Sequence, residues 1–241
     1  MIACGRCSSC LAGHYNLCEY AIGKDNAAGF LSFSANGGLA ALVEPEAVAA
    51  QAVSECQLAP GDDVLIQGAG PIGLLTALMV RISGAHHVLI NDMSQERLAL
   101  AKQLGFHDTL QAGDLSALRQ AIAAATDGHG VDDAFDCAGV QPTLTGAIAA
   151  LKNGGKVTVI ALFGHPPVVD VRALLKKGAR LLTSYGYANR FERVIKIIDN
   201  HRDQFQPIIT KRIKLTEVVT GGIDVLAHDK QQAKILVDLK A

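Results

Sequence analysis

Two groups of residues in this 241-residue chain have types and spacings that chemistry could use. The first is Cys4, Cys7, Cys10 and Cys18, spaced C-x2-C-x2-C-x7-C. Four thiolates so close in sequence can close a tetrahedral shell around Zn2+. A shell filled by four protein sulfurs leaves no position for a substrate, so such a zinc would be structural. Thiolates also suit an iron–sulfur cluster, although nothing else in the chain points to electron transfer. The second group is Gly68-Ala69-Gly70-Pro71-Ile72-Gly73, which lies between the apolar run Val64 to Gln67 and the apolar stretch Leu74 to Ile82. In a strand–turn–helix setting each glycine has a reason. Gly68 allows the tight turn, Gly70 lets a pyrophosphate approach the backbone, and Gly73 lets the helix pack on the strand. The free N–H groups at the start of the helix that Pro71 and Ile72 open then face the phosphates with the positive end of the helix dipole. A second apolar strand ends at Asp92, nineteen residues after Gly73, where a carboxylate can accept hydrogen bonds from an adenosine ribose.

These residues need a frame to hold them, and the pattern after Pro60 supplies one. Strands are expected at Asp63–Gln67, His87–Asp92, Asp108–Leu110, Asp132–Asp136, Lys156–Ala161 and Ala179–Ser184. Helices are expected at Pro71–Ser83, Gln95–Leu104, Leu115–Thr126, Pro142–Leu151 and Arg190–His201. Ser94 is placed as an N-cap, with Gly105 ending the same helix. Short continuous apolar strands alternating with helices predict an α/β fold with a doubly wound, parallel six-stranded Rossmann sheet, its ligand at the carboxyl ends of the strands. Residues 60–206 are expected to form this domain. Before it, Pro45–Cys56 reads as a helix. After it, Ile208–Leu215 reads as extended, Thr216–Leu226 as helical and Lys234–Leu239 as a last strand.

Composition narrows the function classes. Hydrophobic residues make up 49% of the chain and charged ones 19%, so a sizeable core is expected rather than disorder. A net charge of −1 gives no nucleic-acid footprint. No run is long and apolar enough for a membrane helix, and no secretion signal is visible, so a cytoplasmic protein is expected. Cys56 and Cys137 each stand in apolar surroundings and read as small hydrophobes. His14, His86, His87, His129 and His165 form no ligand pair of the usual spacing and read as surface or turn histidines.

With both motifs placed, the chain resembles the zinc-containing medium-chain dehydrogenases of the alcohol dehydrogenase superfamily. The four-cysteine lobe with Gly13 and Asn16 is similar to their structural-zinc loop, and Gly68 to Gly73 to their coenzyme turn. Val43-Glu44-Pro45 resembles the segment that leads into their coenzyme domain. Asp92-Met93-Ser94-Gln95-Glu96-Arg97-Leu98, Ser184 to Phe191 and Gln232 to Val237 are similar to the butanediol and sorbitol (polyol) dehydrogenases. The resemblance implies an NAD-dependent oxidoreductase of a secondary alcohol or vicinal diol and the matching ketone, using hydride transfer with a zinc Lewis acid. It implies that Gly68, Gly70, Pro71, Ile72 and Gly73 hold the pyrophosphate and that Asp92 holds the ribose and disfavours a 2′-phosphate. Arg97 would lie along the adenosine. Ile160, Ala161 and Leu162, and Tyr185, Gly186 and Tyr187, would approach the nicotinamide. Glu44 would be an acid near the catalytic zinc, or otherwise a carboxylate favoured at a helix start. A small-molecule substrate and a homo-oligomer, dimer or tetramer, are implied as partners.

The departures from that family bear on activity. The catalytic cysteine and His-Glu pair of the family lie upstream of the structural lobe and are not among these residues. A block between Ala40 and Ala41 is also absent, and Glu46 stands where the family has an apolar residue. Residues 1–59 are therefore expected to be a remnant of a GroES-like catalytic domain, with the zinc lobe and a linker helix. Residues 207–241 are expected to be a segment returning to it. The alternative to an enzyme is a non-catalytic dinucleotide-binding remnant or an assembly subunit, and exposed apolar surface is expected where the rest of that domain would sit.

Overall fold

A computed structural model describes residues 6–14, 17–18 and 41–238. Cys4, the junction at Ala40 and most of the segment before it lie outside the described residues. A short helix α1 (Ser8–Leu11) precedes a long helix α2 (Val43–Cys56). Then come β1 (Val64–Gln67), α3 (Pro71–Ile82), β2 (Val88–Asp92), α4 (Gln95–Gln103), β3 (Thr109–Gln111), α5 (Leu115–Ala125), β4 (Val131–Asp136), α6 (Gln141–Ala150), β5 (Leu151–Val159), α7 (Val171–Lys177) and β6 (Arg180–Thr183). The chain continues with α8 (Phe191–Asn200), α9 (Arg202–Phe205), β7 (Ile209–Lys214), α10 (Asp224–His228) and β8 (Lys234–Asp238).

Six strands form one sheet in the order β3-β2-β1-β4-β5-β6, with every pairing parallel. This is the expected doubly wound sheet, and its order reverses between β1 and β4. Val64 and Ile66 pair with Val88 and Ile90 on one side, and with Asp133 and Phe135 on the other. All four residues of β1 and all five of β2 are buried, as helices on both faces require. One core layer gathers Leu74, Leu75 and Leu78 of α3 with Ala49, Ala52 and Val53 of α2 and Ile66 and Ile90 of the sheet. The other gathers Leu118, Leu144 and Ile148 against Leu65, Leu89 and Val157. Helix α2 therefore packs into the same core as α3, and Phe205, Ile208 and Ala233 bring the C-terminal segment onto that side. β7 and β8 form a separate parallel pair. Among the described residues no helix is long and apolar enough to cross a membrane.

Several boundaries differ from expectation. β5 begins at Leu151, where a helix end was expected, because Leu151 pairs with Val131 before the ladder shifts register and resumes at Asp133 and Lys156. The helix α7 was not expected, although its signals are present. The Asp170 side chain caps the Ala173 N–H at 2.9 Å, and Gly178 ends the helix in the left-handed region. The stretch after Lys214 is not one helix but a 3-10 turn, a π-turn over Val218–Ile223 and then α10. Gly221 and Gly222 lie inside that π-turn, where two glycines weaken a regular α-helix.

Candidate functional site

The carboxyl ends of the strands are built from short loops that lean on one another. Gly68 has φ +102, a region that glycine enters freely. A methyl group there would lie 3.1 Å from the Ala138 side chain. At Gly73 a methyl would lie 1.8 Å from the Gly68 carbonyl oxygen, so the first turn of α3 can sit this close to β1 only with hydrogen at that position. At Gly70 the space is open, and the nearest atom to a methyl would be Nη1 of Arg97 at 3.9 Å. Gly70 is the N-cap of α3 and offers no side-chain cap, Pro71 starts the helix, and no acidic residue stands in its first turn. The free N–H groups there are left to an anion.

Asp92 closes the turn. It is 9% exposed, and one oxygen accepts the Ala69 N–H at 2.6 Å while the other accepts the Ser94 N–H at 2.8 Å. A carboxylate has about four acceptor positions, so ribose hydroxyls can still be accepted. Ser94 also caps α4, accepting the Arg97 N–H at 3.2 Å, which aims Arg97 back over the turn. Nη1 of Arg97 is 3.8 Å from Asp92, and its Nε is buried without a hydrogen-bond partner. A guanidinium poised over an open glycine, beside a pinned carboxylate, fits a nucleotide diphosphate.

The remaining predicted positions line up along the same edge. The N–H groups of Ile160 and Ala161 both donate to the Asp136 carbonyl, and the Ser184 N–H donates to the Val159 carbonyl. These bonds bring Ile160, Ala161 and Leu162 beside the turn that holds Tyr185, Gly186 and Tyr187. A methyl at Gly139 would lie 2.7 Å from the Leu162 carbonyl. A continuous wall thus runs from Gly68 through Ala138 and Gly139 to Leu162. Asp136 anchors that wall and was not singled out from the sequence. Its Oδ1 accepts the Ala138 and Gly139 N–H groups at 3.0 and 3.1 Å and the Thr143 hydroxyl at 3.0 Å. Burial raises its pKa in spite of these bonds. An Asp at a strand end, followed three residues later by glycine, was the available signal.

Glu44 stands in the first turn of α2. Burial raises its pKa, with the Lys234 ammonium of β8 acting in the opposite direction. Burial also pushes the Cys56 and Cys137 thiols up to about 12, which disfavours the reactive thiolate form. In the lobe, the Sγ atoms of Cys7, Cys10 and Cys18 lie within 4.8 Å of one another, and Cys7 and Cys18 are 3.9 Å apart. A tetrahedral zinc with Zn–S bonds of about 2.3 Å needs sulfurs roughly 3.8 Å apart, so the three described thiols fit it. No cluster of metal ligands among the described residues stands at the carboxyl ends of the strands.

Comparison with known proteins agrees with this geometry. Residues 71–200 match the family model described as zinc-binding dehydrogenase. The (R,R)-butanediol dehydrogenase of Neisseria gonorrhoeae is 32% identical over 200 residues, covering 83% of this chain and 56% of the relative. The L-idonate 5-dehydrogenase of Vitis vinifera is 30% identical over 264 residues, covering 99% of this chain and 70% of the relative. A crystal structure of a Sinorhizobium meliloti protein with NADP bound superposes with a TM-score of 0.81 at 27% identity, covering 99% of this chain and 74% of the other. The chain thus spans 56% and 70% of the lengths of these two curated relatives. The glycine turn, the acid after β2, the sheet order and these matches together place the chain in the zinc-binding dehydrogenase family, alongside its butanediol and polyol members.

Proposed function

We propose that this chain is the coenzyme-binding part of an NAD-dependent oxidoreductase that interconverts a secondary alcohol of a vicinal diol or polyol with the matching ketone. The observation that carries this reading is the turn in which Gly73 fits only as glycine, Gly70 stands open and Asp92 is fixed to Ala69. Bound NAD would supply the hydride acceptor, while the protein orients it. The first N–H groups of α3 and the Arg97 guanidinium bind the pyrophosphate. Asp92 accepts the ribose hydroxyls, and its negative charge opposes a 2′-phosphate. Ile160 to Leu162 and Tyr185 to Tyr187 wall the nicotinamide end and keep water from it. The three described cysteines of the lobe, together with Cys4, hold a structural zinc. The butanediol and idonate dehydrogenases among the relatives support the diol or polyol substrate class.

A homo-oligomer is part of the same reading. β6 is an edge strand with Arg180, Leu181 and Thr183 exposed, and Val168, Val171 and Leu175 are exposed in the segment leading into it. A second copy pairing along that edge would cover an unpaired ladder and apolar side chains together.

Titration of NADH fluorescence with the purified chain tests the coenzyme reading. Saturable binding is expected, with NADPH weaker by roughly tenfold or more, about 1.4 kcal/mol. Absence of saturable NADH binding would overturn the reading, and equal affinity for NADPH would overturn the role given to Asp92.

A further inference from the structure

The opposite end of the sheet carries a group of side chains that the coenzyme site does not use. Asp63 lies just before β1, and His86 and His87 lie just before β2. The parallel ladder brings these strand starts side by side, with the Val64 N–H donating to the His87 carbonyl at 2.9 Å and the His86 N–H donating to the Asp62 carbonyl at 2.8 Å. Nδ1 of His86 is 3.0 Å from Oδ1 of Asp63, and Nδ1 of His87 is 3.2 Å from the same oxygen. The two rings are 4.0 Å apart between centroids. All three ligand atoms lie within 4.8 Å of one another. The three residues line a cleft of about 1380 Å³, as do His107 and His129.

We infer that Asp63, His86 and His87 form a binding site for a divalent first-row transition-metal ion at the amino ends of the strands. Metal–N and metal–O bonds of about 2.0–2.2 Å at ordinary angles set ligand atoms roughly 3 Å apart, the separation found for both histidine–Asp63 pairs. Two imidazoles and one carboxylate suit Zn2+, Ni2+ or Cu2+ rather than Ca2+ or Mg2+, which take oxygen ligands. A hydrogen-bond cluster alone does not account for the arrangement. Nδ1 of His87 is sealed from solvent and makes no hydrogen bond, although it faces the Asp63 oxygen. A bound cation would satisfy that orphan atom. The frame is already fixed, since the Asp63 N–H donates to Asp132 at 3.0 Å and the Asp63 carbonyl accepts the Asp132 N–H at 2.9 Å. The site is separate from the cysteine lobe and from the nucleotide turn, and it stands whether or not the coenzyme reading holds.

The test loads the chain with one equivalent of Zn2+ to fill the cysteine lobe, removes free metal, and dialyses against Ni2+ with the bound metal measured by elemental analysis. One saturable Ni2+ per chain is expected beyond the zinc. The double variant His86→Gln/His87→Gln and the variant Asp63→Asn should each weaken it at least tenfold, while His107→Gln and His129→Gln leave it within twofold. Paramagnetic broadening by Ni2+ of imidazole NMR signals in the unaltered chain gives a reading independent of variant folding, and His86 and His87 should broaden first. No saturable Ni2+, undiminished binding in the double variant, or broadening that begins at another histidine would each overturn the assignment.

Discussion

Gly70 and Gly73 lie three residues apart on one loop and should respond to alanine in different ways. A methyl at Gly73 collides with the Gly68 carbonyl, whereas one at Gly70 meets nothing closer than Arg97 and needs no change in a backbone with φ −71. Gly73→Ala is expected to lower the melting temperature and abolish NADH binding. Gly70→Ala should leave the melting temperature within about 2 °C and still cut NADH affinity, because it would fill the space proposed for the phosphates. Equal loss of stability in both would contradict this geometry. Glu46 makes a different point at the same scale. It is wholly buried in α2 with neither oxygen hydrogen-bonded, and burial holds its pKa well above 4.5. A carboxyl whose folded pKa is raised gives its full stability below the unfolded value, and stability falls as pH rises from there toward the folded pKa. Glu46→Leu should therefore raise the melting temperature by roughly 5 °C near neutral pH. The gain should shrink toward pH 4.5, and a gain independent of pH would refute the account.

Lys156 ties three elements together. Lys156 of β5 reaches the C-terminus of α2, donating to the Cys56 carbonyl at 2.9 Å, and pairs with Asp133 of β4 at 3.1 Å. Asp133 is wholly buried, and burial raises its pKa to about 6 even though Lys156 pulls it down. Removing the cation leaves a buried carboxylate unpaired and a helix end unsatisfied. Lys156→Met is expected to cost about 3–5 kcal/mol. The loss should be larger at pH 8 than at pH 5, where Asp133 escapes by taking a proton. Adding Asp133→Leu should recover most of it, as replacing both charges of a buried pair often does. Urea unfolding of the single and double variants measures this, and no recovery in the double variant would show that Lys156 acts through packing alone.

At the scale of the whole molecule, the sheet has two ends, and β6 is one of its two edge strands. The sheet's carboxyl end gathers the glycine turn, and its amino end gathers Asp63, His86 and His87. β6 and the segment before it leave Leu175 and Leu181 exposed. Light scattering is expected to show a dimer or larger homo-oligomer for the purified chain. Leu175→Asp/Leu181→Asp should shift it toward the monomer mass without changing NADH affinity. A monomer in the unaltered chain at every concentration would remove the edge-pairing reading.

The amino-acid order by itself determined the sheet and the glycine turn. Hydrophobic runs with strand or helix periods, and glycines at fixed spacing, are local signals, and β1, α3, β2 and α4 appear where those signals stand. The cysteine spacing likewise indicated the lobe, and the structure brings Cys7, Cys10 and Cys18 together. Only the tertiary structure decided what depends on distant parts meeting. Leu151 became the start of β5 because Val131 was there to pair with it. Asp136 became an anchor because Ala138, Gly139 and Thr143 turned their donors toward it. His86 and His87, which looked like surface histidines, acquired Asp63 as a neighbour because parallel pairing aligns the starts of β1 and β2 across more than twenty intervening residues. Local sequence encodes propensity and period, whereas a cluster of ligands exists only once the ladder fixes which residues share an end.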